Sequence, residues 1–87
     1  MESLIDIQAK VVVGLEKVLQ EKGQHRQIEV NTDLLDRGLL DSFALMHALV
    51  LFESIFNIQF DDFELLLENF RTPEIIAVRI QSKLIGN

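Results

Sequence analysis

The chain has 87 residues, 48% of them apolar, no cysteine, and a net charge of −6. That length allows one domain (residues 1–87) that buries only about 60–65% of its unfolded surface, and the missing cysteines exclude disulfides, thiolate metal sites and cysteine nucleophiles. An acidic surface repels nucleic acid. No apolar run approaches the ~18–20 residues of a membrane span, and the N-terminus carries no charged-then-apolar export signal, so a cytoplasmic protein is expected.

Six Phe are the only aromatics, and β-branched residues never alternate cleanly with polar ones, so the chain reads as all-helical. The first helix is expected from about Ser3 to Glu21. Ser3 serves as N-cap, and Leu4, Ile7, Val11, Leu15 and Val18 recur at three- and four-residue steps. Gly14 costs this helix about 1 kcal/mol relative to Ala without cancelling the stripe. Lys22-Gly23 ends it with a cation and a left-handed cap. A long connection follows from Gln24 to Asp41. Ile28, Val30, Leu34, Leu35, Leu39 and Leu40 are available to pin it to the core, with a short helical turn expected at Asp33-Leu34-Leu35.

The second helix is expected over Ser42 to Asn57. Leu45, Ala48, Leu49, Phe52 and Phe56 share the face that meets the core. The opposite side holds His47 and Ser54 but also Phe43, Val50 and Leu51, which cannot be buried together with the first set. Exposed apolar residues beside a helix start suit either a docking partner or a second copy of the chain. Ile58-Gln59-Phe60 is a short extended link, and Asp61-Asp62 start a brief third helix, roughly Asp62 to Glu68, with acids at its positive end. Thr72-Pro73-Glu74 signals the last helix, with Thr as N-cap, Pro at the first helical position and Glu in the first turn. That helix runs to about Leu84, with Ile76, Ile80 and Leu84 in register, and Gly86 ends it.

Charge is unevenly spread along the chain. Between Asp33 and Glu68 lie eight acids and one base, Arg37, a balance of −7 that leaves +1 for the remainder. One half of the molecule is thereby expected to be acidic and to steer partners with basic surfaces.

Catalytic constellations are absent from the sequence. His25 and His47 sit on different elements, where a lone histidine is ordinarily surface decoration. No Ser-His-Asp order with recognisable flanks, glycine-rich phosphate loop or His-rich metal spacing occurs. Asp61-Asp62 reads as a helix-start stabiliser. Asp41-Ser42 is, taken alone, ordinary capping. Its context adds more: Ser42 stands at the positive end of a helix, where N–H groups favour a phosphate. It follows a glycine-containing turn and precedes the apolar Phe43.

The run Leu34-Leu35-Asp36-Arg37-Gly38-Leu39-Leu40-Asp41-Ser42-Phe43 resembles the attachment motif of acyl and peptidyl carrier proteins. Phe56-Asn57-Ile58-Gln59-Phe60 resembles the end of that family's second helix and the link after it, and Asn69-Phe70-Arg71-Thr72-Pro73 the turn before its last helix. The resemblance covers roughly Thr32 to Ile80. It implies a four-helix bundle with three main helices, a short third helix and a long loop between helices one and two. It also implies a carrier, not an enzyme and with no metal site of its own, bearing an acyl or aminoacyl group as a thioester on 4'-phosphopantetheine attached to Ser42. A phosphopantetheinyl transferase installs the arm, with Asp41 assisting its recognition. An acyl- or aminoacyl-activating enzyme loads the thiol, and downstream transferases or synthases unload it.

Phe43, His47 and Val50 are expected on the partner face of a monomer, with Leu40 below it. After Ser42 the second helix holds one acid, Glu53, unlike the carriers of bacterial fatty-acid synthesis. The Gly-Leu-Leu-Asp-Ser run is closer to discrete amino-acid carriers, such as the D-alanyl carrier proteins, or to carriers of specialised pathways. That favours apolar docking, with the acids steering the encounter. An unmodified helical interaction module and a small acidic homodimer remain as competing readings.

Overall fold

The computed structural model describes residues 2–86 and is all-helical. It contains α1 (Leu4–Glu21), α2 (Ser42–Phe56) and α3 (Pro73–Leu84), with 3-10 turns at Asp36–Gly38, Asp62–Glu64 and Leu67–Phe70. None of its helices is long and apolar enough to cross a membrane, among the described residues. The Ser3 hydroxyl caps α1 by accepting the Asp6 N–H at 3.2 Å. Gly23 turns the chain at φ +82°, a left-handed conformation that glycine adopts without a Cβ penalty. Ile7, Val11, Leu15, Val18 and Leu19 form the buried face of α1, which packs against both α2 and α3.

Gly14 has a role that helix propensity does not reveal. A Cβ at this position would stand 2.6 Å from Phe52 Cε1, and Phe52 is fully buried. The glycine therefore lets α2 lay an aromatic ring against the backbone of α1. Leu45, Ala48, Leu49, Phe52 and Phe56 are all buried, as the periodicity of α2 requires. Asn57 closes α2 in the left-handed region at φ 54°, and its N–H bonds the Glu53 carbonyl.

The long connection is anchored at both ends. Ile28, Leu34, Leu39 and Leu40 are buried, which stabilises the loop by about 1.5–3 kcal/mol per side chain. Glu16 of α1 accepts the Ile28 N–H at 2.8 Å, and the Leu34 N–H donates to the Arg71 carbonyl at 2.7 Å. Val30 stays exposed and contributes its carbonyl instead, which accepts the Glu74 N–H at 2.9 Å. The helical turn lies slightly later than expected, at Asp36–Gly38.

The single short third helix expected over Asp62 to Glu68 is replaced by two 3-10 turns separated at Leu65-Leu66. The Glu64 carbonyl, which a continuous helix would bond to the Glu68 N–H, accepts instead from the Leu66 N–H at 2.7 Å and the Asn69 side chain at 2.9 Å. The Glu64 carboxylate folds inward. It accepts the Asp61 N–H at 2.7 Å, pairs with Lys83, and lies 3.5 Å from Arg79. Burial alone would raise the pKa of this acid, but the Lys83 and Asp61 hydrogen bonds and the two nearby cations outweigh it and hold it below its usual range. Lys83 and Arg79 also lie over the rings of Phe60 and Phe70, which meet edge to face at 5.5 Å.

The acidic half expected from the sequence is not a half of the folded molecule. Arg71 pairs with Asp33 and Glu68, and Lys83 with Asp61 and Glu64, so cations from beyond residue 70 fold back among the acids.

Replacing Gly14 with Ala tests the α1–α2 contact. Overpacking should cost about 1–3 kcal/mol, against a helix-propensity gain of about 1 kcal/mol. Urea unfolding of Gly14→Ala should therefore show a net loss of order 1 kcal/mol. A gain would mean that Phe52 yields freely.

Candidate functional site

The start of α2 is fixed by local chemistry on both sides. Leu39 and Leu40 are buried immediately before it, and the Leu40 N–H bonds the Leu34 carbonyl at 2.9 Å. Asp41, in extended conformation, is the N-cap: its Oδ1 accepts the Ala44 N–H at 2.8 Å and its carbonyl accepts the Leu45 N–H at 2.9 Å. Ser42 is therefore the first residue of a 15-residue helix, exposed, with its hydroxyl in the field of the helix's positive end. The Ala44 N–H, helped by the positive charge of Lys22 and opposed by slight desolvation, holds Asp41 below the usual carboxylate range. It is therefore ionised at neutral pH.

Phe43, Met46, His47 and Val50 follow at steps of three and four and line one shallow groove with Ser42. Phe43 is 77% exposed and Val50 59%. Their periodicity places a second apolar stripe on α2, away from the core stripe. Leu40, grouped with the partner face but placed below it, is 2% exposed: it lies in the core beneath this stripe and does not line it. Leu51, expected on the outer side, is half-buried and packs against the edge of the core. Glu53, the acid on α2, accepts the Phe60 N–H at 2.9 Å and so holds the link after the helix.

Two residues at the end of α1, Glu21 and the C-cap Lys22, complete the rim. Lys22 Nζ lies 3.7 Å from Asp41 Oδ1 and 5.8 Å from the centroid of the Phe43 ring. Glu21 Oε1 is 3.9 Å from His47 Nε2. His47 is five residues beyond Ser42, roughly 140° around the helix, and turns toward Glu21. Met46 was legible, being three residues from Phe43 on the same face. Lys22 was not, because nothing in local spacing ties it to a residue nineteen positions later. This arrangement can present a hydroxyl and a neighbouring apolar surface to another protein.

The chain matches none of the protein-family models it was compared with. No solved structure matches it either. Among curated proteins it is similar to the D-alanyl carrier protein of Leuconostoc mesenteroides subsp. mesenteroides, with 30% identity over 82 residues, spanning 94% of this chain and 100% of that protein. With the exposed serine at a helix start and an all-helical fold, that full-length likeness identifies the group: the chain belongs to the carrier protein family, of the D-alanyl type.

Proposed function

We propose that this protein carries D-alanine as a thioester on 4'-phosphopantetheine attached to Ser42, and delivers it to partner enzymes. The observation that carries the reading is the exposed Ser42 at the first position of a long helix, just after a capping aspartate, in a chain similar over its full length to a D-alanyl carrier protein.

The residues present suit a phosphodiester-linked arm. Ser42 offers an accessible hydroxyl, the helix end and Lys22 favour an anion, and Phe43, Met46 and Val50 offer an apolar surface beside it. When bound, the arm supplies the thiol that a cysteine-free chain lacks. Ser42 itself needs no base at its side. Its Oγ displaces adenosine 3',5'-bisphosphate from coenzyme A at phosphorus, and its proton passes to the phosphopantetheinyl transferase. Asp41 holds the helix start in register for that transferase and adds a carboxylate for recognition. The protein has a non-catalytic role in this reading, with an aminoacyl-activating enzyme upstream and a transferase downstream. Dependence on coenzyme A and on activated amino acid puts it in the cytoplasm. The segment of two 3-10 turns stands where the expected short third helix of a four-helix carrier bundle would lie.

Docking is expected to be mainly apolar. Glu53 is engaged by the Phe60 N–H, so the outer stripe of α2 presents Phe43, Met46, His47 and Val50 to the partner. Phe43→Ala and Val50→Asp should each weaken loading by the activating enzyme about tenfold in KM, the effect of a loss slightly above 1 kcal/mol at an interface anchor, while circular dichroism stays unchanged. Unaltered loading kinetics in both variants would remove this surface from the account.

Attachment is read from intact mass after incubation with coenzyme A, magnesium and a broad-specificity phosphopantetheinyl transferase. The parent should gain one phosphopantetheinyl group and Ser42→Ala none. A folded parent that gains nothing would favour an unmodified interaction module.

A further inference from the structure

We propose that Lys22 is the counter-ion of the Ser42 phosphodiester, holding the base of the arm against the first turn of α2; this rests on the carrier reading above. Lys22 is placed by the end of α1 and not by the site itself. Its N–H bonds the Leu19 carbonyl at 3.0 Å, and Gly23 and Gln24 bond back to Gln20 and Leu19 at 2.9 Å each, so the backbone at this position is fixed. From there the side chain reaches across to α2. Its ammonium stands 3.7 Å from Asp41 Oδ1 and 5.8 Å from the Phe43 ring centroid, and these two residues flank Ser42 in the chain.

The contact with Asp41 leaves the ammonium under-used. At 3.7 Å it is well outside the ~2.7–2.9 Å of a charge-assisted hydrogen bond. Asp41 Oδ1 already accepts the Ala44 N–H at 2.8 Å. An ammonium has three donors, and here it is held beside a carboxylate without a short bond to it. Asp41 is a carboxylate that accepts the Ala44 N–H, so a phosphodiester on the next residue sets two anions side by side. Both compete for the same helix end. A cation between them removes that repulsion.

Three other cations are committed elsewhere: Lys10 pairs with Glu2 at 2.7 Å, Arg71 with Asp33 and Glu68, and Lys83 with Asp61 and Glu64. Among the described side chains, Lys22 is the cation paired with the N-cap of α2. Because it also overlies Phe43, it keeps the base of the arm on the side of the apolar groove.

The test compares the parent, Lys22→Met and Lys22→Arg, each carried through attachment and checked by intact mass. Side-chain NMR of Lys22 and phosphorus NMR of the loaded proteins are then recorded at low and high salt. Attachment should shift the Lys22 Cε and Nζ resonances while leaving those of Lys10, about 18 Å back along α1, in place. Lys22→Met should move and narrow the phosphorus line, Lys22→Arg should restore it, and high salt should reduce the difference. Lys22 resonances that stay put in a parent whose mass includes the arm would overturn the proposal alone. A parent that gains no mass would overturn the carrier reading and this proposal together.

Discussion

The hydrogen bond from the Ala44 N–H to the Asp41 carboxylate decides where α2 begins, and the site depends on that start. Moving the cap by one residue would turn every side chain of α2 by about 100°. The core stripe of Leu45, Ala48, Leu49, Phe52 and Phe56 would then leave the core, and Ser42 would lose its place at the helix end. Burial of Leu39 and Leu40 just before the cap, and of Ala44 and Leu45 just after it, makes the alternative registers costly. The serine is thus held by a rigid element while its own side chain remains in solvent.

Much of the rest of the chain serves to keep that helix in place without covering its outer side. Gly14 admits the Phe52 ring, so α1 and α2 pack closely on the inner side. The long connection is bonded to Glu16 on one side and to the Arg71 carbonyl on the other, and delivers Asp41 to a defined position. Glu64, Lys83 and Arg79 tie the 3-10 turns to α3 with charges that are largely withdrawn from solvent. Such pairs are costly to break once one partner is removed, although their net contribution to stability is small. The acids left outward, such as Asp36 and Asp62, remain able to steer a basic partner, whereas several of the others are internally matched.

The three α-helices and both stripes of α2 were legible in the sequence because each rests on spacing and on a local cap: Ser3, Asp41 and Thr72 all bond the N–H three residues on. The position of Ser42 at the start of α2 was legible for the same reason, as the residue after a cap. What escaped depended on contacts between distant segments. The split of the expected third helix follows from Glu64 turning toward Lys83 and Arg79, fifteen or more positions away. The purpose of Gly14 appears only when Phe52 is set against it. Leu40, two residues before the exposed Ser42 in the chain, is a core residue in the fold. The charge count between Asp33 and Glu68 was correct, but cations from the last helix lie among those acids.

The carrier role is tested most directly by loading. The protein bearing its arm would be incubated with D-alanine, ATP and a D-alanine-activating enzyme, and its intact mass recorded before and after hydroxylamine. The account predicts one added D-alanyl group, absent in Ser42→Ala and removed by hydroxylamine, as a thioester requires. A D-alanyl group that resists hydroxylamine or appears equally on Ser42→Ala, or a loaded arm that never accepts the amino acid, would contradict it.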